Sequence, residues 1–286
     1  MTNIPPLNQQ TSTFKLTILV NDHAPHGLTI EHGLAFWIET DGRHILFDTG
    51  QGKALEPNAL ALGIDLSRTD ILIISHGHYD HTGAMELVLK HAPHARIYAH
   101  PGIIQPRYSI REGVAKPVQI PDRAKSALEK HPKEQWIRVT QPVYLSENIG
   151  ITGPIPRLTV FEDPGGPFFL DPEGRQPDPI VDDQALWVRT SEGTVVIVGC
   201  CHSGLINTLT QICNLTHEKK IRAVIGGLHL LSADTKRLSQ TFAGLREIAP
   251  GLMIPCHCTG DQALKSLLEA FGNIVEPGMT GNVSLM

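Results

Sequence analysis

Apolar and polar residues alternate along the chain in a pattern that predicts short strands separated by helices. Strands are predicted at Phe14 to Val20, Gly33 to Glu39, Arg43 to Phe47, Asp70 to Ser75, Ala95 to Ala99, Ala185 to Arg189, Thr194 to Val198, Ile221 to Ile225, Leu252 to Ile254 and near Ile274-Val275. Helices are predicted at Gly83 to His91, Ile206 to Thr216 and Asp261 to Phe271. This order of elements indicates an α/β fold.

The regular pattern weakens in the middle of the chain. Proline and glycine accumulate there, as in Pro164-Gly165-Gly166-Pro167 and Asp171-Pro172-Glu173-Gly174, which cannot form a helix or a central strand. The sequence therefore predicts a single domain over residues 1–286, with an irregular insertion at about 101–180 that can act as a lid.

Composition limits the classes of molecule that the protein is expected to bind. The 286 residues are 41% hydrophobic and 19% charged, with a net charge of -5, which argues against broad binding to nucleic acid or to an anionic membrane. No apolar run reaches the roughly 18 residues of a membrane span, and Met1 to Thr13 lacks the features of a signal peptide. Five cysteines, an odd number, suit a reducing compartment. We expect a cytoplasmic protein with a small-molecule substrate; no pattern indicates the oligomeric state.

The strongest chemical signal follows the strand at Asp70 to Ser75. His76, His78, Asp80 and His81 lie within six positions there. Alternate residues of an extended segment point the same way, so His76, His78 and Asp80 can converge on one ion while His81 faces a neighbouring position. Imidazole and carboxylate suit Zn²⁺, Mn²⁺ or Fe²⁺, and such a cluster can serve two ions roughly 3.5–4 Å apart. The alternative is a histidine-rich surface loop or a set of hydrogen-bonded core histidines.

Three further predicted strands lead into a histidine. His202, His229 and His257 follow the strands that end near Val198, Ile225 and Ile254, each beside glycine or proline. Loops at one edge of an α/β sheet are where ligand sites collect, so these histidines are expected near the first cluster. For any one of them alone, a solvent-facing loop histidine is the competing interpretation.

Several of these segments together resemble the metallo-β-lactamase superfamily. They are Glu31-His32-Gly33, Phe47-Asp48-Thr49-Gly50, Ser75 to Gly83, Gly199-Cys200-Cys201-His202-Ser203-Gly204 and His257-Cys258-Thr259-Gly260. More narrowly, they are similar to its 7,8-dihydropterin-6-yl-methyl-4-(β-D-ribofuranosyl)aminobenzene 5'-phosphate synthase-like branch. The resemblance implies a four-layer αββα sandwich with a metal site between the edges of two sheets.

The resemblance also implies a ligand set, with one departure. It assigns metal-ligand roles to His76, His78, Asp80 and His81, the third-histidine role to His202 and the last ligand role to His257. The superfamily's bridging aspartate is absent, because Gly199 is followed by Cys200. Asp183 is one candidate to replace that carboxylate. Cys200 is another, since a metal-bound thiol is deprotonated, although a buried cysteine can also be a small packing residue.

These residues predict a hydrolase or a related transferase. A bound metal lowers the pKa of its water from about 15.7 to about 7 and so supplies hydroxide near neutral pH. Asp80 can orient that hydroxide or act as a base, and His229 is the candidate general acid, with a ligand or supporting role as the alternative.

In the predicted insertion, Arg107 and Tyr108, with Arg111, can bind an anionic substrate such as a phosphoester or a pterin-like compound, unless they form a solvated loop face. The expected cofactor is one or two divalent ions, most simply zinc, with manganese or iron as options. An iron-dependent oxidoreductase with the same ligands is the alternative function, and a non-enzymatic binding module is a third.

Overall fold

The computed structural model describes residues 14–285, so the expectation for Met1 to Thr13 lies outside the described residues. The strands are β1 Phe14–Val20, β2 Ala35–Thr40, β3 Arg43–Phe47, β4 Ile71–Ile73, β5 Arg96–Ala99, β6 Tyr108–Arg111, β7 Val114–Pro117, β8 Trp136–Arg138, β9 Val143–Tyr144, β10 Ile149–Ile151, β11 Phe168–Phe169, β12 Ala185–Thr190, β13 Gly193–Val198, β14 Ile221–Gly227, β15 Met253–Cys256 and β16 Val283–Leu285. The α-helices are α1 Leu55–Ala61, α2 Tyr79–Thr82, α3 Met85–His91, α4 Asp122–Lys130, α5 Leu205–Thr216, α6 Thr235–Ile248 and α7 Asp261–Phe271. Short 3₁₀ turns occur at Leu66–Arg68, Pro101–Ile104, His257–Thr259 and Gly272–Ile274.

Two large sheets form the centre of the molecule. One has seven strands in the order β16-β1-β2-β3-β4-β5-β8, and the other has six in the order β15-β14-β13-β12-β10-β9. Their facing surfaces bury a shared apolar core in which Phe36, Phe47 and Ile73 of the first sheet meet Ile151, Leu186 and other residues of the second. Alternate residues of each strand enter this core, as the period of two requires.

Helices cover the outer face of each sheet. Side chains of α1, α3 and α4, such as Leu55 and Val88, pack on the seven-stranded sheet. Side chains of α5, α6 and α7, such as Leu209 and Leu267, pack on the six-stranded sheet. The layers therefore follow the order α, β, β, α, which confirms the predicted four-layer αββα sandwich. Within residues 14–285, no helix combines the length and apolar character needed to cross a membrane.

The segment at 101–180 is more ordered than the sequence suggests. Strand β8 extends the seven-stranded sheet, and β9 and β10 extend the six-stranded sheet. Helix α4 packs against α3, while β6, β7 and β11 form a small third sheet. The expectation of one irregular insertion is corrected, because β8 and β10 pair with strands outside the segment, while β6, β7 and β11 pair with one another.

The last predicted strand is also corrected. Val275 forms only an isolated bridge to Met253, whereas the final strand is β16, paired with β1. Each central group of parallel strands ends at the same side of the sandwich, β3 to β5 in one sheet and β13 to β15 in the other. This shared edge brings together loops that are distant in sequence.

Candidate metal centre

Six predicted ligands lie together at this edge. His76 and His78 occupy the extended segment after β4, and Asp80 and His81 follow in the single turn of α2. His202 comes from the loop after β13, and His257 from the 3₁₀ turn after β15. The change from extended chain to helix after His78 directs the first two side chains to one point and the next two to another.

His76, His78 and His202 form the first set, called here the His76 group. His76 Nε2 lies 3.0 Å from His78 Nδ1 and 3.2 Å from His202 Nε2. Burial and neighbouring imidazoles hold the pKa values of His76 and His202 well below the usual value for histidine. Burial, together with the charge of Arg107, lowers the pKa of His78 to about 3. The three rings are therefore neutral, the form that binds metal.

The hydrogen bonds on the far side of two rings set their tautomers. Ser75 donates its hydroxyl proton to Asp48 Oδ2, so its oxygen accepts the Nδ1–H of His76. His202 donates its Nδ1–H to the carbonyl oxygen of Pro164. Both Nε2 atoms then present lone pairs to each other at 3.2 Å. This arrangement is repulsive by itself and suits a shared cation.

Asp80, His81 and His257 form the second set, the His81 group. Asp80 Oδ2 lies 3.2 Å from His257 Nε2 and 3.9 Å from His81 Nε2. Burial raises the pKa of Asp80, but the imidazoles of His81 and His257 outweigh this effect and hold the pKa far below its usual value. His81 donates its Nδ1–H to Asp48 Oδ2 at 2.7 Å, so Nε2 is its nitrogen that can bind a metal. The His257 Nε2 atom is buried and faces the Asp80 carboxylate. The donors fit a second divalent ion.

Asp22 orients the last ligand. Its Oδ1 atom accepts a 2.6 Å hydrogen bond from His257 Nδ1, and its Oδ2 atom lies 2.9 Å from His32 Nδ1. Burial raises the pKa of Asp22, but these hydrogen bonds outweigh this effect and hold the pKa well below its usual value. The carboxylate is thus ionised and fixes the His257 tautomer with Nε2 toward Asp80.

Replacing Asp22 by asparagine is expected to lower metal affinity about 10- to 100-fold, the usual effect of losing such a supporting carboxylate. Titration of the metal-free protein with zinc against a competing chelator measures this change. Asp261→Asn is the matched control, because Asp261 also pairs with a histidine, His23, but at the exposed surface. An Asp22→Asn protein with the affinity of the wild type would show that His257 needs no orienting partner.

Cys200 and Asp183, the two candidates for the bridging position, differ in where they lie. The Cys200 sulfur is within 4.8 Å of ligand nitrogens of His76 and His202, and equally of His81 and His257. Asp183 instead accepts a 2.6 Å hydrogen bond from the Ser203 amide and supports the loop that carries His202. Burial raises the pKa of Asp183 to about 6. Asp183 therefore does not supply the missing carboxylate.

His229 lies beside the His76 group. Its ring centroid is 4.2 Å from that of His202, and its Nε2–H donates to the carbonyl oxygen of Gly165 at 3.2 Å. Gly165 has a φ of +83°, and a Cβ atom there would lie 1.8 Å from the His229 ring. The loop therefore requires glycine at this position in order to hold the ring. Within residues 14–285, the buried Nδ1 atom of His229 makes no hydrogen bond.

A cavity of about 480 Å³ opens over these groups. His78, Asp80, Cys200, His202, His229 and His257 line its base, and Phe168 contributes an aromatic wall. The β6–β7 hairpin forms the opposite wall with Ser109, Arg111, Glu112, Val114 and Lys116. The centre is thus accessible to a small molecule, and two cationic side chains lie on the hairpin that faces it.

The predicted substrate-binding role of Arg107 does not match its position. Arg107 is fully buried, and its guanidinium binds Asp182 Oδ1 at 2.5 Å and Asp178 Oδ2 at 3.0 Å. Tyr108 is half-buried and lies outside the cavity wall, because alternate residues of β6 face opposite sides and Ser109 and Arg111 face the cavity. Of the predicted cationic cluster, only Arg111 reaches the site.

A model of the metallo-β-lactamase superfamily matches residues 28–209. The chain belongs to the metallo-β-lactamase superfamily. The 7,8-dihydropterin-6-methyl-4-(β-D-ribofuranosyl)-aminobenzene-5'-phosphate synthase of Methanocaldococcus jannaschii is 27% identical over 274 residues, covering 92% of this chain and 93% of that protein. Both levels of the predicted resemblance are thereby confirmed.

Solved structures agree with this assignment. A metal-dependent hydrolase of the β-lactamase superfamily matches with a TM-score of 0.81 and 28% identity, covering 95% of this chain and 98% of that one. Zinc-bound PqqB from Methylobacterium extorquens matches with a TM-score of 0.58 at 10% identity, covering 94% of this chain and 99% of that one, and so shares the fold. The superfamily fold implies divalent metal binding, and the two ligand groups are candidates for it.

Some residues of the site were not predicted. The role of Asp22 was not predicted, because nothing in the local sequence shows that β1 ends beside the loop that carries His257. Asp48 lies in one of the matched segments, but its contacts with Ser75 and His81 depend on the packing of three loops. The position of Lys116 in the site depends on the pairing of β6 with β7, which places this residue opposite Ser109.

Proposed function

We propose that the protein is a metal-dependent hydrolase, or a related transferase, that acts on a small anionic molecule such as a phosphoester or a pterin-like compound. The observation that carries the proposal is the position of two ligand groups at the base of a cavity whose far wall presents Arg111 and Lys116. The five cysteines are free, which supports a cytoplasmic setting.

The metal would be held by His76, His78 and His202 in one position and by Asp80, His81 and His257 in the other. When bound, a divalent ion lowers the pKa of water and polarises the phosphoryl or carbonyl oxygen under attack. Zinc is the simplest choice, and manganese or iron also accept these donors.

The protein side chains have separate tasks in this reaction. Asp80 is ionised, so its carboxylate can accept a hydrogen bond from the attacking water and orient it, while the proton that the water loses passes to solvent. His229 can carry a proton at Nδ1 for the oxygen of the leaving group while Gly165 fixes its other nitrogen. Arg111 and Lys116 bind a part of the substrate that carries negative charge and does not react.

Replacing Arg111 and Lys116 together by alanine is expected to raise KM for an anionic substrate about tenfold or more, with a smaller change in kcat. Hydrogen bonds to charged groups contribute about 1.5–3 kcal/mol, and both side chains are exposed, so the lower end applies. Steady-state kinetics measure the effect. Glu112→Gln is the control on the same hairpin and should change KM in the opposite direction. Equal KM values in all three proteins would remove the anionic part of the proposal.

The substrate class is tested with proteins loaded with zinc, manganese or iron. Turnover of bis(p-nitrophenyl) phosphate or p-nitrophenyl phosphate, with little turnover of the neutral p-nitrophenyl acetate, would support the hydrolase. Iron content with oxygen consumption and no phosphoester turnover would instead support the oxidoreductase alternative.

The transferase form of the proposal is favoured by the methanogen relative, whose name describes a dihydropterin joined to an aminobenzene riboside phosphate. A cavity with Phe168 and Tyr79 on its walls and cations at its rim suits such an aromatic phosphate. Incubation with (β-D-ribofuranosyl)aminobenzene 5'-phosphate and an activated dihydropterin, followed by mass spectrometry, tests for the joined product.

A further inference from the structure

The sulfur of Cys200 lies between the two ligand groups. Its Sγ atom is 3.1 Å from His81 Nε2, and its side chain is fully enclosed, with only 3% of the residue exposed. The same sulfur is within 4.8 Å of ligand nitrogens of His76 and His202, and also of His81 and His257. A bridging ligand must occupy a position of this kind.

The position of Cys200 is fixed by the backbone around it. A Cβ atom on Gly199 would lie 2.1 Å from Ser75 Oγ, and one on Gly227 would lie 2.6 Å from Cys258 Sγ. Gly199 allows β13 to approach the loop that carries His76, and Gly227 allows β14 to approach the turn that carries Cys258. The following residue, Cys201, turns away with a φ of +56°, and its sulfur contacts the Thr208 hydroxyl at 3.3 Å.

Hydrogen bonding alone does not account for this arrangement. The single S–H of Cys200 can donate to one acceptor, yet ligand nitrogens of both groups lie within 4.8 Å of the sulfur. The Nδ1 atoms of His81 and His76 are engaged by Asp48 and Ser75, so Nε2 is the nitrogen of each ring that can bind a metal. The buried Nε2 atom of His257 lies 3.2 Å from Asp80 Oδ2, and the ligand atoms of His81, Cys200 and His257 lie within 4.8 Å of one another. Together these atoms indicate cations on either side of the sulfur.

We propose that Cys200 is a bridging ligand, its thiolate bound to both metal ions in the place where the superfamily has an aspartate. The inference rests on the metal centre of the proposed function. On ligation the thiol releases its proton to solvent, and one sulfur lone pair binds each ion. The bridge keeps the single negative charge of a carboxylate but is a softer donor, so it favours zinc, cobalt or iron over manganese.

Cobalt substitution tests the bridge without an activity assay. Metal-free protein titrated with Co²⁺ is expected to develop a sulfur-to-cobalt charge-transfer band in the near ultraviolet. Because one sulfur contacts both ions, the band should change during the first equivalent and again during the second. Cys200→Ser should lack the band, and Cys201→Ser, the neighbouring control, should keep it.

Two further variants distinguish loss of the Cys200 ligand from loss of folding and from ligation by another cysteine. Cys200→Asp restores a carboxylate and should bind two equivalents of cobalt without the band, which separates loss of ligation from loss of folding. Cys258→Ser should retain the band, since Cys258 is grouped with Cys200 and His229 and with no histidine of the two ligand groups. A wild-type protein without the band, or a band that survives in Cys200→Ser, overturns the proposal. A band in a protein that hydrolyses no phosphoester would uphold the bridge and reject only the proposed function.

Discussion

Replacing His76 by alanine is expected to reduce phosphoester turnover by more than about 100-fold and to lower the bound metal. Losing a residue that merely supports a ligand typically costs 10–100-fold, and His76 is itself placed to bind. Its Nε2 atom faces nitrogens of both His78 and His202, so its loss removes the central donor of that group. Elemental analysis of the purified protein and turnover of bis(p-nitrophenyl) phosphate measure the two effects.

His94→Ala is the control for this experiment, because His94 is exposed and lies outside the site. It should retain both metal and turnover. If His76→Ala binds as much metal as the wild type, the convergence of the three rings is a packing arrangement and the metal centre must be reassigned.

Replacing Arg107 by alanine is expected to lower the free energy of unfolding by about 3–5 kcal/mol, the usual cost of breaking a buried ion pair. The change leaves the carboxylates of Asp178 and Asp182 without their cationic partner in the interior, where both residues are almost fully buried. Asp182 also accepts a 2.8 Å hydrogen bond from the Gly77 amide, between two metal ligands. Urea denaturation of the metal-free protein measures the loss without a contribution from metal binding.

Arg175→Ala is the matched control, since Arg175 also contacts two carboxylates, Asp171 and Glu173, but its side chain is 75% exposed. A change below about 1 kcal/mol is expected there. If Arg107→Ala kept its stability and only raised KM, the original interpretation of Arg107 as a substrate-binding residue would be reinstated.

The elements predicted well are those with strong local patterns. Helix α7 has the predicted bounds, Asp261–Phe271, because its apolar residues recur at helical spacing between Gly260 and Gly272. Strands β1 and β3 were also located correctly. Helix α6, at Thr235–Ile248, was missed because its surface is largely polar and only a narrow stripe around Leu245 is buried.

The ligands were easier to predict than the residues around them. Histidines that follow apolar strands carry a signal in the sequence, and His202 and His257 meet the first cluster as the common edge of parallel strands requires. Arg107 shows the limit of this reasoning. A cation in a proline-rich segment has the same local pattern whether it faces substrate or two buried carboxylates, and only the fold decides between them.

Each ligand group takes members from both halves of the sandwich, and this has a consequence for biosynthesis. The nascent chain presents His76, His78, Asp80 and His81 early, but the first group is completed only when His202 has emerged from the ribosome. The second group is completed only when His257 has emerged. The His257 amide donates a hydrogen bond to Asn21, directly after the first strand. Loading of both metal positions would thereby be coupled to translation at least as far as His257, and a chain truncated before that residue would carry an incomplete chelating site.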